Sequence, residues 1–156
     1  MYKALVVVVA AGVAIGLAWP SAKRPAEAAA VQSDGQPRET VLERERNGHF
    51  YVYAKVNGEL VRFVVDTGAS MVALTVDDAR RLGIPYSSSE SEYIGEGASG
   101  AVRGKSVTIK EIEIDGKKVS NVRGAILEGS QLSLLGQSYL SRMGEVEMRG
   151  DYMVLR

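Results

Sequence analysis

Two dipeptides constrain the fold of this chain most: Asn57-Gly58 and Asp115-Gly116, each set between runs of β-forming residues. A two-residue loop of this composition tolerates positive φ at both positions and reverses the chain into an antiparallel hairpin. Residues 49–56 alternate polar and apolar before the first loop, and residues 59–65 return after it. Residues 102–114 and 117–127 flank the second as longer strands. Further short strands are expected at 71–74, 145–148 and 152–155, the last two around Gly150. Thr75 begins a helix with Asp77 and Asp78 in its first turn; Arg80 and Arg81 suit its last turn, Gly83 its C-terminal cap, and Pro85 blocks continuation. A second short helix is expected over 138–143. The sum is an all-β fold, a small barrel of short strands with one or two short helices.

Composition narrows the chemistry. The 156 residues suit one folded domain, and 46% hydrophobic with 24% charged content is ordinary for a packed core. Nineteen basic residues balance nineteen acidic ones, so the chain lacks the positive surface that nucleic acid binding needs. Zero cysteines remove a thiolate nucleophile, disulfides and cysteine-ligated zinc. One histidine, His49, gives no support for a histidine metal cluster or a serine–histidine triad and reads as a structural or surface residue. No metal and no cofactor is expected.

The N-terminus differs from the rest. Residues 4–19 are uncharged and largely apolar, between Lys3 and the pair Lys23 and Arg24. Residues 1–19 therefore read either as an uncleaved membrane anchor or as a secretory signal, cleaved at a small-residue site near Ala26, Ala28 or Ala30. Either way the remainder is expected across a membrane. Residues 20–47 read as a flexible linker, clearest over 20–39, where Ala, Ser, Pro, Gln and Asp leave little to bury. Residues 48–156 are the expected folded domain.

Asp66 is the residue most suited to catalysis. Val64 and Val65 lead into Asp66, Thr67, Gly68, Ala69 and Ser70, so a carboxylate sits in a tight turn fed from a buried strand. Such a group can act as a general acid or base. The plainer reading makes Asp-Thr-Gly an ordinary turn in which glycine supplies positive φ. Against it stands a second apolar run ending in glycine, Leu134-Leu135-Gly136, about seventy residues on. Gly95, Gly97 and Gly100 also satisfy G-x-G-x-x-G, but they precede a strand, Glu96 would oppose a pyrophosphate, and no βαβ unit surrounds them. A glycine-rich hairpin tip that closes over a substrate is the better reading.

The segment from Phe63 through Ser70, the later Leu134-Leu135-Gly136-Gln137-Ser138-Tyr139-Leu140 and the ending Glu147 to Leu155 resemble the retropepsin-like (retroviral-type) aspartic proteases, specifically their bacterial membrane-anchored group. The resemblance covers roughly residues 48–156. It implies a closed barrel protomer in which Asp66 is the catalytic acid and Leu134, Leu135 and Gly136 support its loop. It further implies that Thr67 hydrogen-bonds to a partner's loop and that Gly68 admits substrate backbone. Ala69 stands where pepsin-like members have a serine and matches the viral enzymes. The stretch from Tyr93 to Val102, with Tyr93, Gly97, Ala98, Ser99 and Gly100 as its candidate residues, matches a flap by position.

Peptide hydrolysis by this route needs two carboxylates sharing one proton, one activating water and the other polarising the scissile carbonyl. Asp34 lies in the linker, Asp77 and Asp78 in a helix cap, Asp115 and Asp151 in glycine-flanked turns. The expectation is a homodimer with Asp66 contributed by each chain, acting on a peptide or protein. It would be tethered by a single N-terminal segment to the bacterial inner membrane with its domain in the periplasm, or released there after cleavage. The alternative is a barrel of the same kind that binds a peptide or serves structurally in the cell envelope without cleaving.

Overall fold

The computed structural model describes residues 36–97 and 100–156. The expected membrane segment 1–19, most of the linker and the flap residues Ala98 and Ser99 lie outside the described residues. Among the described residues no helix is long and apolar enough to cross a membrane.

Ten strands and two short helices follow in the order β1 (Thr40–Glu43), β2 (Tyr51–Val56), β3 (Glu59–Val65), β4 (Val72–Thr75), α1 (Val76–Arg81), β5 (Glu92–Gly97), β6 (Gly100–Ile114), β7 (Lys117–Leu127), β8 (Ser133–Leu135), α2 (Gln137–Leu140), β9 (Val146–Arg149) and β10 (Tyr152–Leu155). Both hairpin loops have the expected backbone: φ is 51° and 94° at Asn57 and Gly58, and 47° and 81° at Asp115 and Gly116. Six strands run in the order β2-β3-β8-β4-β7-β6, and β6 returns to β2 through Lys55↔Glu113 and Val56↔Ile112. The sheet thereby closes on itself and leaves no free edge within the barrel. Two pairings are parallel, β3 with β8 and β4 with β7, and both join segments far apart in sequence.

The barrel interior is filled by Phe63, Leu74, Ile109, Ile112, Ile114, Ile126 and Leu135, with Tyr139 and Met153 beneath. Fully burying an aliphatic side chain of this size is worth about 1.5–3 kcal/mol. These residues come from both hairpins and from β4, β8, α2 and β10, so the core forms only when distant segments meet. α1 starts as expected: Thr75 Oγ1 accepts the Asp78 N–H at 3.0 Å, and Gly83 follows the cap with φ of 67°.

Three local expectations need correction. Residues 40–43, read as linker, form β1 and pair with β10, joining Thr40 to Leu155 and Glu43 to Tyr152. Only Val41 and Leu42 of these four are apolar, and the strand owes its existence to a partner more than a hundred residues away. Residues 92–97, for which no strand was expected, form β5, an extra strand laid on β6 outside the closed barrel. The second helix is a single turn beginning at Gln137.

The approach to β1 is clamped to the β6–β7 turn. Arg38 N donates to Asp115 O at 2.9 Å, Thr40 Oγ1 donates to Asp115 Oδ2 at 2.6 Å, and buried Lys117 donates through Nζ to Arg38 O and to Thr40 Oγ1, the latter at 2.9 Å. Burial pushes the Lys117 ammonium below its ordinary value, while Asp115 opposes that shift.

Candidate active site

β3 delivers Asp66 from the core. Phe63, Val64 and Val65 are buried, and Asp66 emerges half-buried at the strand end. Its backbone N–H donates to Leu135 O at 3.1 Å, which continues the parallel pairing of Val64 with Leu134 and Val65 with Leu135. The Gly68 N–H donates to Asp66 Oδ1 at 2.9 Å, and the Ala69 N–H to Asp66 O at 3.3 Å. One carboxylate oxygen is thus oriented by backbone. Among the described residues the Asp66 carboxylate has no other hydrogen-bond donor.

The two glycines serve space rather than φ. Gly68 does not adopt positive φ; a Cβ there would sit 3.3 Å from Asp66 Oδ1, crowding the carboxylate. At Gly136 a Cβ would lie 2.2 Å from Met71 O and 2.7 Å from Ala69 O, distances no side chain tolerates. The β8 run therefore ends in glycine because two backbones cross there.

Just past that crossing, Gln137 holds the Asp66 loop directly. Its backbone N–H donates to Ala69 O and its Nε2 to Thr67 O, both at 2.8 Å. Ser138 Oγ accepts the Val72 N–H at 3.0 Å and donates to Arg123 O at 2.6 Å, tying β4 to β7. Sequence reasoning gave neither residue a role. The available signal was their position immediately after Gly136, in polar types able to satisfy an adjacent turn. Buried Tyr139 anchors α2 by donating through its hydroxyl to Lys117 O at 3.0 Å. Burial pushes that hydroxyl well above its ordinary value, so it stays a neutral donor.

An open cleft of about 690 Å³ lies between this loop and the β5–β6 hairpin. Asp66, Gly68, Ala69 and Ser70 line one side, with Met71, Ala73, Ala125, Leu127 and Leu134 from the barrel. Ile94, Gly95, Glu96, Gly97 and Val102 form the hairpin side. Gly97 of the expected flap residues thus faces the cleft. Tyr93 is exposed, does not line it, and donates through its hydroxyl to Glu96 Oε1 at 3.1 Å. Gly100 opens β6 at the hairpin tip with φ of 104°. Ile94, Glu96 and Val102 fall within the stretch 93–102 expected as a flap by position. Leu135 is buried in the core and supports the loop from beneath, whereas Leu134 reaches the cleft. Thr67 is exposed beside the turn.

Among the described residues that line the cleft, Asp66 is the sole aspartate. Asp78 is committed elsewhere: its carboxylate accepts from Ser133 Oγ at 2.6 Å and pairs with Arg81. His49 is exposed and packs edge-on to Tyr51. No group of three or more His, Cys, Asp or Glu able to hold a metal ion occurs among the described residues.

Residues 52–142 match the sequence family described as "gag-polyprotein putative aspartyl protease". The fold is similar to the crystal structure of a retropepsin-like aspartic protease from Rickettsia conorii, with a TM-score of 0.63 and 34% identity, covering 76% of this chain and 89% of that one. It is also similar in fold to the EIAV protease complexed with the inhibitor HBY-793, with a TM-score of 0.50 and 20% identity over 64% of this chain and 91% of that one. An uncharacterized protein from the cobV 5′ region of a Sinorhizobium species is 36% identical over 126 residues, 80% of this chain and 54% of that protein. An uncharacterized Rickettsia prowazekii protein is 33% identical over 118 residues, 75% of this chain and 51% of that protein. The chain spans about half the length of these two curated relatives. The family match over residues 52–142, laid on a six-stranded closed barrel with its Asp-Thr-Gly turn and Leu-Leu-Gly crossing, makes this chain a member of the retropepsin-like aspartic protease family.

Proposed function

We propose that this protein is an aspartic endopeptidase whose active site forms when two copies bring their Asp66 carboxylates together. The observation that carries the reading is the placement of Asp66: a backbone-oriented carboxylate at the edge of a mainly apolar cleft roofed by a hairpin. Its chemistry requires a second carboxylate, and no other aspartate among the described residues lines the cleft. In the assembled dyad the ionised carboxylate takes a proton from water as it attacks, and the protonated one donates to the scissile carbonyl oxygen. Exposed Thr67, its carbonyl held by Gln137, is free to meet the same loop of the other copy. The apolar segment 4–19 supports delivery of the domain across a bacterial inner membrane into the periplasm.

The test is incubation of the full chain with a peptide library read by mass spectrometry, with Asp66→Asn as control. The proposal expects cleavage by the wild-type chain alone. Peptide binding without cleavage by either protein would instead support a non-proteolytic recognition module.

A further inference from the structure

We propose that Glu96, on the β5–β6 hairpin, selects peptides that carry a lysine or arginine beside their apolar residues, an inference resting on the peptide-cleaving reading of the cleft. The barrel side of the cleft is apolar, built from Ala73, Ala125, Leu127 and Leu134, and Ile94 and Val102 extend that surface onto the hairpin. None of the described residues lining it is basic. Two acids do line it, Asp66 and Glu96, and Asp66 is taken up by the chemistry.

Glu96 differs from the acids just before it in the chain. Glu90 is paired with Lys105 at 2.7 Å, and Glu92 accepts from Ser106 Oγ at 2.9 Å. Glu96 has only the Tyr93 hydroxyl, at 3.1 Å, and no cation among the described residues. The β5–β6 register shifts between Tyr93 and Gly95, leaving Ile94 out of the ladder, and Ile94 and Glu96 both line the cleft. An apolar contact and a carboxylate are thereby offered side by side.

The sign of the preference follows from desolvation. A peptide seated under the hairpin removes water from Glu96, which is unfavourable unless the peptide returns a hydrogen-bonding cation. A lysine or arginine restores the lost interaction, an alanine does not, and a glutamate adds repulsion. The hairpin therefore discriminates by charge, while the barrel side accepts apolar side chains.

The experiment uses three peptides with one apolar core and Lys, Ala or Glu scanned through the flanking positions. Binding to full-length Asp66→Asn is measured by fluorescence anisotropy, and cleavage by the wild-type chain in parallel. At its best position the Lys peptide should bind about three- to tenfold tighter than the Ala peptide, with a margin that shrinks as salt rises. Adding Glu96→Gln should remove that margin, and adding Glu96→Lys should turn the preference toward the Glu peptide. Equal binding of the three peptides, absence of binding by all, or a Lys preference that survives both substitutions would overturn the role of Glu96. A Lys preference that depends on Glu96 but comes without cleavage by the wild-type chain would overturn the proteolytic reading and leave the selectivity standing.

Discussion

Asp66 is held by backbone alone: its own N–H on Leu135 O, the Gly68 N–H on its Oδ1, and the Ala69 N–H on its carbonyl. The backbone crossing at Gly136 and the Gln137 side chain on Thr67 O in turn fix the loop that carries it. Gly136→Ala should destabilise the protein by roughly 3 kcal/mol or force the 66–71 loop aside, because the added carbon meets the fixed carbonyl oxygens of Met71 and Ala69. Chemical denaturation, with peptide cleavage as a second readout, checks this. Gln137→Ala should leave the fold in place yet loosen the loop through Thr67 O, lowering kcat/KM about tenfold with a loss of stability near 1 kcal/mol. At this scale the Asp66 turn was legible because turn chemistry is local: the strand formers, the acid and the glycine stand next to one another. The support from Gln137 was not, since its partners lie some seventy residues back in the chain. The plainer turn reading expects positive φ at Gly68; the structure instead requires glycine there because a Cβ would crowd the carboxylate.

Between elements, the junction of α1 with β8 carries a titrating group. Asp78 sits in the first turn of α1, and its carboxylate accepts from Ser133 Oγ, whose own oxygen accepts the Thr75 N–H at 3.1 Å. Burial pushes the Asp78 carboxyl up, but hydrogen bonds from Ser133, Arg81 and Thr75 outweigh it and hold the group below its ordinary value. A carboxylate lowered by folding contributes stability above its unfolded pKa of about 3.9 and loses it as pH falls through the folded value. Asp78→Asn should thus destabilise by about 1–3 kcal/mol at neutral pH, and the gap to wild type should narrow toward pH 3 in urea titrations run at both pH values. The helix cap was readable from Thr75, Asp77 and Asp78 together, and the long hairpins from their positive-φ loops. β1 and β5 were not readable, because one depends on β10 for its register and the other on β6. At the clamp on β1, Gly116 has φ of 81° and a Cβ there would lie 2.4 Å from Gln36 O, so Gly116→Ala should free residues 36–43 to faster amide exchange than the barrel strands.

On the scale of the whole molecule, the barrel closes within one chain and β10 is flanked on both sides by strands of the same chain, β1 and β9. The barrel needs no strand from a second copy to close, yet its cleft holds half of the proposed dyad. A small barrel was legible from the spacing of hairpins and turns, and its closure from the family resemblance. Its parallel pairings were not, because nothing local marks residues 63–65 as partners of 133–135. If two copies make one site, specific activity should rise with enzyme concentration until the dimer saturates, because the monomer lacks a complete site. The most direct test holds total protein fixed above that saturation and replaces wild-type chains with Asp66→Asn chains under conditions of subunit exchange. A dyad built from both copies makes every mixed dimer inactive, so activity should follow the square of the wild-type fraction, about one quarter at equal mixing. Activity that falls in direct proportion to the wild-type fraction, to about one half at equal mixing, would mean that one chain suffices and would contradict the account.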